Sequence, residues 1–301
     1  MDNIKIGYFA DGPWSHETLK LLLIDETISV EFVVPRNDTT DRTLFELSKT
    51  NGLRYLENIH VNSDEFFELA SSFNCDLFVS MSYNQIFRKR IINLPPLKVI
   101  NCHAGKLPFY RGRNILNWAL INNEKEFGIT VHYVDSGIDT GNIILQKNYP
   151  ISLSDDYSTL LIRSHTECAN ILYEAIKKIQ NDTALSIDQT SIHPVGFYCG
   201  LRGLGDELIN WEQTSIELFN FIRAICEPGP MATTYCNDEL VKINRSKIIE
   251  NAPSYKGTCG QLIGKTEEGY LVKTLDSFLE IKEVCTNKKL KVGDKLRCKK
   301  P

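Results

Sequence analysis

The sequence contains no long hydrophobic run and no basic, apolar leader at its N-terminus. A membrane-spanning helix needs about 20 consecutive apolar residues, and a secretion signal needs a charged segment followed by an apolar one. We therefore expect no membrane partner and a cytoplasmic location. Hydrophobic residues make up 42% of the chain and charged residues 24%, which is the ordinary composition of a globular protein.

Paired cysteine motifs are also missing. The nine cysteines are odd in number and scattered without a Cys-x-x-Cys pair, so we predict neither a disulfide framework nor a bound metal. No Gly-x-Gly-x-x-Gly follows the first apolar segment, which argues against a dinucleotide cofactor. The formal net charge of −4, from 34 basic and 38 acidic residues, argues against a large nucleic-acid surface.

What the first part of the chain does contain is an alternation of short apolar strands with amphipathic helices. The predicted strands are 4–9, 29–34 and 76–80, and the predicted helices are 15–23 with Ser15 as N-cap, 41–49, 63–73 and 157–179. Such alternation predicts an α/β fold with a Rossmann-like, doubly wound and mostly parallel sheet. Ligands of such sheets bind beyond the carboxyl ends of the strands.

The C-terminal part has a different pattern. Short β-type runs alternate there with turn residues, at 233–236, 240–243, 269–273 and 278–281. They predict a small barrel or open sheet, and so a smaller, mainly β C-terminal subdomain. Because the segment 181–193 is polar and rich in turn residues, we place the boundary after it, with one domain at 1–195 and a linker and subdomain at 196–301.

Three polar side chains lie in the apolar stretch around residues 101–146. Asn101 and His103 end a predicted strand, where alternation places both on one side and Cys102 on the other, as core filler. Asp139 lies in a Gly-containing loop between strands predicted at 129–134 and from 143.

These residue types suit attack on a carbonyl group. A histidine can accept a proton near neutral pH, an amide can donate to a developing oxyanion, and a carboxylate can fix the tautomer and favour the charged form of the histidine. The alternative is that Asn101 and His103 cap a strand end and that Asp139 makes an ordinary Asx turn.

Four short blocks, taken together, resemble a known family. They are Asn101-x-His103, LPFYRG at 107–112, GIT at 128–130 and DSGIDTG at 135–141. In this order and spacing they resemble the formyltransferases that use N10-formyltetrahydrofolate. The resemblance implies that Asn101, His103 and Asp139 are the catalytic residues, that N10-formyltetrahydrofolate is the co-substrate, and that the C-terminal subdomain is similar to an oligonucleotide-binding fold.

The resemblance also implies where ligands bind. The loop after strand 76–80 is similar to the pterin loop of the family, and its candidate cofactor-binding residues are Ser82, Tyr83, Asn84 and Ile86. The alternative is a surface turn whose aromatic side chains complete the core. The candidate substrate-binding residues are Trp14, Lys106, Tyr110 and Arg111. Trp14 offers either a stacking surface or core packing, and Arg111 either meets a pyrophosphate or carboxylate or orders its own turn.

Two blocks bear on the acceptor. Gly105-Lys106 departs from the His-x-Ser-Leu-Leu-Pro form of the tRNA enzyme, and RNILNW at 113–118 departs from its Ala-Ala-Pro-Ile continuation. Both departures resemble the nucleotide-sugar branch of the family. That branch implies formylation of an amino deoxy sugar linked to a nucleotide, either deoxythymidine diphosphate (dTDP), which we expect, or uridine diphosphate (UDP). The resemblance further implies a product used in a surface polysaccharide such as the lipopolysaccharide O-antigen, and a homodimeric enzyme. Methionyl-tRNA formylation, hydrolysis of the formyl donor and non-catalytic binding of folate or nucleotide are the alternatives.

Overall fold

The computed structural model describes residues 3–298, which form two compact units. The first unit contains the residues up to 112 together with 127–149 and 162–199. The second unit contains 113–126, 150–161 and the residues from 200 onward. The single boundary after residue 195 remains a proposal.

The first unit is built on a seven-stranded sheet. The strands in the first 199 residues are β1 (Ile4–Ala10), β2 (Ile28–Val34), β3 (Arg54–Tyr55), β4 (Leu77–Met81), β5 (Val99–His103), β6 (Arg111–Gly112), β7 (Glu126–Tyr133), β8 (Ile143–Pro150) and β9 (Tyr198–Cys199). The strand order in the seven-stranded sheet is β3-β2-β1-β4-β5-β7-β8. Strands β1 to β5 pair in parallel, and β7 pairs antiparallel with β5. Strands β6 and β9 form a separate parallel pair. The predicted doubly wound, mostly parallel sheet is therefore confirmed.

Seven helices occur between residues 3 and 199. They are α1 (Pro13–Ile24), α2 (Thr43–Thr50), α3 (Asp64–Ser72), α4 (Lys89–Ile92), α5 (Ile115–Ile121), α6 (Tyr157–Gln180) and α7 (Gln189–Ile192). The four helices with predicted bounds begin and end within two residues of them. None of the helices in residues 3–298 combines the length and hydropathy needed to cross a membrane.

The start of α1 differs from the prediction for a local reason. Gly12, not Ser15, is the N-cap, with a φ of 66° that favours glycine. Pro13 then takes the first helical position, where its fixed φ and missing N–H cost nothing. Ser15 lies inside the first turn and its hydroxyl donates to the Gly12 carbonyl at 2.7 Å, so the prediction of Ser15 as N-cap is wrong. Trp14 consequently belongs to the helix and not to a loop.

An aromatic cluster around Phe9 fills the core on one face of the sheet. Its rings lie 5.0 to 5.9 Å from that of Phe9, mostly edge to face, and belong to Phe32, Phe66, Phe78, Tyr83 and Phe87. We call these six residues the Phe9 cluster. Because Tyr83 and Phe87 follow β4, the cluster ties the loop after that strand to the core of the sheet.

The second unit contains a six-stranded antiparallel sheet. Its strands are β10 (Ala232–Cys236), β11 (Glu239–Ile248), β12 (Leu262–Lys265), β13 (Gly269–Lys273), β14 (Phe278–Cys285) and β15 (Leu296–Arg297). Their order in the sheet is β12-β13-β14-β11-β10-β15. Helix α8 (Ser215–Ala224) packs on β11 and begins with a capping box between Thr214 and Glu217. The prediction of a smaller, mainly β C-terminal part is confirmed, although β12 and β15 were not predicted.

Candidate active site

The structure brings the three predicted catalytic residues together at the carboxyl end of β5. Asn101 and His103 lie on β5, and Asp139 lies on the loop between β7 and β8 with a left-handed φ of 55°. The Asp139 Oδ2 atom is 3.6 Å from His103 Nδ1. Cys102 is on the other side, where its thiol donates to the Cys168 carbonyl of α6 at 3.7 Å.

A fourth residue, His132, lies between Asn101 and Asp139, although it belongs to none of the predicted site motifs. Its Nε2 atom lies 3.3 Å from the Asn101 amide nitrogen and 3.5 Å from Asp139 Oδ1. Its Nδ1 atom is 2.8 Å from the Tyr133 carbonyl, which can only accept, so Nδ1 carries the proton and Nε2 accepts from Asn101. The antiparallel register pairs His132 with Asn101, and no property of either segment alone reveals that pairing.

The tautomer of His103 is fixed by a backbone carbonyl. His103 Nε2 donates to the Tyr110 carbonyl at 2.7 Å, so the lone pair of the neutral ring is on Nδ1, facing Asp139. The expectation that Asp139 fixes the tautomer is therefore wrong. A Cβ at Gly105 would lie 2.4 Å from His103 Nε2 and 2.5 Å from the Tyr110 oxygen, so the missing side chain allows this bond to form.

Burial and charge act in opposite directions on the two ionisable groups. Burial lowers the pKa of His103 below its ordinary value, and the Asp139 carboxylate opposes that shift only in part. Burial also disfavours the charge on Asp139, but His103 and the Gly112 amide favour it, and the pKa of that carboxyl lies well below its usual range. At neutral pH the site therefore pairs a neutral imidazole with an ionised carboxylate.

The turn after His103 connects to the Asp139 loop. The Gly112 amide donates to Asp139 Oδ2 at 2.9 Å. Arg111, a predicted substrate-binding residue, donates through its guanidinium to Gln189, whose own amide donates to the Asp139 carbonyl at 2.9 Å. This arrangement agrees with the second possibility considered for Arg111, that it orders its own turn.

The other predicted acceptor residues lie around this turn and on α1. Tyr110 is buried, has a φ of 55°, and packs edge-on against Phe197 at 4.9 Å between ring centroids. Lys106 is half-buried in the same turn. Trp14 packs edge-on against His165 of α6 at 4.7 Å.

The predicted cofactor residues lie on the loop after β4, at the same edge of the sheet. Ser82 has a left-handed φ of 53°, and Tyr83 belongs to the Phe9 cluster. The Asn84 amide donates to Asp38 at 3.2 Å, and Ile86 is 64% exposed. Tyr83 thus completes the core, while Ile86 presents an apolar surface. Among residues 3–298 no group of three or more His, Cys, Asp or Glu side chains could hold a metal ion.

Comparison with known proteins matches both units. Residues 27–176 match the family described as formyl transferase, and residues 205–297 match the formyl transferase C-terminal domain. The chain is 31% identical over 265 residues to the methionyl-tRNA formyltransferase of Fusobacterium nucleatum, which covers 83% of this chain and 84% of that protein. Seven further curated relatives of the same name are 28% to 34% identical.

Two solved structures share the fold along nearly the whole chain. One is an N-formyltransferase from Helicobacter canadensis, in complex with folinic acid and dTDP-3-aminofucose, with a TM-score of 0.70, 23% identity and coverage of 94% of this chain and 100% of that one. The other is WlaRD, a sugar 3N-formyl transferase in the presence of dTDP and 5-N-formyl-THF, with a TM-score of 0.69, 24% identity and coverage of 96% and 100%.

Proposed function

The chain belongs to the formyl transferase family and is an enzyme of one-carbon group transfer; from that premise we propose that its acceptor is the amine of a nucleotide-linked amino deoxy sugar, most simply a dTDP-linked one. The donor is N10-formyltetrahydrofolate, the co-substrate of the family. The formylated sugar would enter a surface polysaccharide such as the lipopolysaccharide O-antigen.

The observation that carries formyl transfer is the cluster of Asn101, His103, His132 and Asp139 at one strand end. The acceptor amine attacks the formyl carbon, a C–N bond forms, and the carbonyl oxygen becomes an oxyanion. One N–H of Asn101 is bound to His132, which leaves the second to donate to that oxygen. Collapse of the intermediate then breaks the bond to N10, and the leaving nitrogen takes the proton that His103 accepts from the amine.

Proton transfer falls to His103 Nδ1, because its Nε2 is bound to the Tyr110 carbonyl. The neutral ring takes the proton of the attacking amine at Nδ1, and the resulting imidazolium lies against Asp139. A buried carboxylate at that position stabilises the charge as it forms. The lowered pKa of His103 keeps the ring neutral, and so able to accept a proton, at neutral pH.

The loop after β4 is the proposed site for the folate. Its residues Ser82, Tyr83, Asn84 and Ile86 follow a strand end next to β5, which bears the catalytic pair. The exposed backbone of the loop suits the amide-like edges of a pterin, and Ile86 supplies an apolar contact. On the acceptor side we propose Trp14, Lys106 and Tyr110, with Arg111 acting through the turn.

The choice of a sugar amine is supported by three features. The Gly105-Lys106 and 113–118 segments depart from the pattern of the tRNA enzyme, and the net charge is −4. The two solved structures described above also match 96% and 94% of this chain and 100% of their own. Methionyl-tRNA formylation is the second candidate, because the curated relatives bear that name.

A direct assay separates the two candidates. The protein is incubated with N10-formyltetrahydrofolate and, in parallel, with a panel of dTDP-, UDP- and GDP-linked amino sugars or with methionyl-tRNA. Mass spectrometry then measures the gain of one formyl group. Catalytic formylation of one amino sugar supports the proposal, whereas formylation of methionyl-tRNA alone overturns it, and consumption of the donor without an acceptor identifies a hydrolase.

Two whole-chain properties complete the proposal. We expect a homodimer, which light scattering coupled to size-exclusion chromatography tests. We also expect a cytoplasmic location, which cell fractionation tests.

A further inference from the structure

Gln189 is a buried side chain outside the motifs that define the site. It begins the short helix α7, and only 2% of its surface is exposed. Its amide nitrogen donates to the Asp139 carbonyl at 2.9 Å and to the Gly141 carbonyl at 2.8 Å. Its amide oxygen accepts from Arg111, at 3.2 Å from Nε and 2.7 Å from one terminal nitrogen.

These four bonds use the whole capacity of the amide. A primary amide has two N–H donors and one oxygen with two lone pairs, and all four are bound to residues of the site. Backbone carbonyls only accept and a guanidinium only donates, so the partners fix which end of the amide faces which loop. Gln189 is therefore held in one orientation between the Asp139 loop and the turn at Arg111.

The Asp139 loop needs such support because its backbone is unusual. Asp139 has a φ of 55°, a conformation that residues other than glycine adopt at a cost. At Gly141 the chain folds back onto β7 so closely that a Cβ would lie 1.9 Å from the Tyr133 carbonyl oxygen. Gln189 binds the carbonyls of both Asp139 and Gly141. The distance of the Asp139 carboxylate from His103 depends on how this segment folds.

The turn on the other side of Gln189 also contacts both catalytic groups. Arg111 stands between Tyr110, whose carbonyl accepts from His103 Nε2, and Gly112, whose amide donates to Asp139. The backbone amide of Arg111 is itself bound to the Phe197 carbonyl at 3.1 Å. A single side chain thus connects the segment that orients His103 with the segment that presents the carboxylate to it.

We propose that Gln189 is a positioning residue for formyl transfer, which holds the Asp139 carboxylate against His103 Nδ1 and the Arg111 turn against the same histidine. The rate measurements that test this inference rest on the proposed function. Gln189 touches no reacting atom, and it acts through Asp139 and through the Tyr110 carbonyl.

The titration of His103 distinguishes this role from a structural one. The ionisable groups that face His103 are Asp139 and His132, and the carboxylate favours the charged ring. If the Asp139 carboxylate moves away when Gln189 is replaced, it no longer stabilises the charged ring, and the pKa of His103 falls. The acidic limb of the rate profile should then shift to lower pH. A variant that is only less stable would keep the wild-type profile.

The experiment compares Gln189→Glu, Gln189→Asn and Gln189→Ala with a control, Gln213→Ala, at a half-buried glutamine of the second unit. Glutamate keeps the length of the side chain and an acceptor for Arg111 but places an oxygen against two carbonyl oxygens. Asparagine keeps the amide but is one methylene shorter. The measurements are kcat and KM for both substrates, the pH profile, Tm, and an NMR titration of the His103 ring.

We expect Gln189→Glu and Gln189→Ala to lower kcat by about 10- to 100-fold with little change in KM for the formyl donor. We also expect the His103 titration to move to lower pH in Gln189→Ala, which adds no charge to the site, with the control unchanged. Wild-type kcat and titration in Gln189→Glu, or a lower Tm with an unchanged titration, would overturn the inference. If the wild-type protein formylates no amine, the proposed function fails, and the NMR titration still decides the role of Gln189.

Discussion

At the scale of single residues, Asn101 can be tested most directly. Its amide is oriented by His132 at 3.3 Å, which leaves one N–H for an oxyanion. Replacement of Asn101 by alanine should lower kcat by about 100- to 1,000-fold, because a preorganised donor is lost from the transition state. The measurement is steady-state formylation of the acceptor.

Asn181→Ala is the matched control, since this asparagine is exposed after the end of α6. It should retain full activity. An Asn101→Ala enzyme with near-normal kcat would remove Asn101 from the mechanism.

Asp139 should control the pH dependence of the reaction. In the proposed mechanism the neutral form of His103 is the base. Burial holds the pKa of His103 below its ordinary value, so kcat/KM should rise with pH and level off before neutrality. The carboxylate raises the pKa of His103, so Asp139→Asn should move the acidic limb to still lower pH. It should also lower the plateau by about 100-fold or more, because the imidazolium loses its counter-charge.

The measurement is the pH profile of kcat/KM for both enzymes with the same acceptor, whose own titration is common to the two profiles. A shift of the limb to higher pH in Asp139→Asn would contradict the proposed role of the carboxylate.

At the scale of secondary-structure elements, the Phe9 cluster connects β1 to the proposed folate loop after β4. Phe9→Ala should lower the free energy of unfolding by about 3 to 5 kcal/mol, as expected for the loss of a large buried side chain. It should also raise KM for the formyl donor, because Tyr83 and Phe87 lose the ring against which they pack. Denaturant unfolding and initial-rate kinetics measure the two effects.

A stability control is available in the second unit. Ile243 is fully buried on β11, and Ile243→Ala should cost about 2 to 5 kcal/mol. It should leave KM for the formyl donor unchanged. An equal rise of KM in both variants would show that the effect reports general destabilisation and not the position of the loop.

Local sequence patterns predicted most of the elements, because the signals for strands and helices are local. The helix α6, predicted at 157–179, was found at Tyr157–Gln180. The start of α1 was missed because Gly12 and Pro13 act through backbone geometry, whereas Ser15 matched a side-chain rule. Strand β12 was missed because it contains Gly264, which weakens a strand signal.

Local patterns likewise reveal some residues of the candidate site and miss others. Asn101, His103 and Asp139 lie within one stretch of 39 residues and carry recognisable spacing. His132 joins them only through the antiparallel register of β5 and β7. Gln189 joins them from a separate helix 50 residues after Asp139. Both additions depend on tertiary structure, which a local pattern does not encode.

At the scale of the whole molecule, the chemical groups of the site all come from the first unit. Asn101, His103, His132, Asp139 and Gln189 lie in its segments, up to 112, 127–149 and 162–199. The formyl transferase families nevertheless match both units. The candidate site is therefore assembled from discontinuous segments of one unit.

The net charge of the whole chain bears on the acceptor. At −4 the protein has no overall attraction for a polyanion, and a sugar nucleotide presents only a diphosphate. Binding that neutralises six to ten phosphates of a nucleic acid weakens by about 10³- to 10⁵-fold between about 50 and 200 mM salt. Two phosphate charges should give a change of less than about tenfold over that range.

We therefore expect kcat/KM for the amino-sugar nucleotide to vary by less than about tenfold over this salt range. We also expect no gel shift of initiator tRNA at physiological salt. As a control, the same rates are measured in sodium chloride and in potassium acetate at equal ionic strength. The comparison separates the effect of ionic strength from specific effects of the anion. A salt dependence of kcat/KM much steeper than this, or a complex with initiator tRNA at physiological salt, would contradict the expectation and indicate a local basic surface despite the net charge of −4.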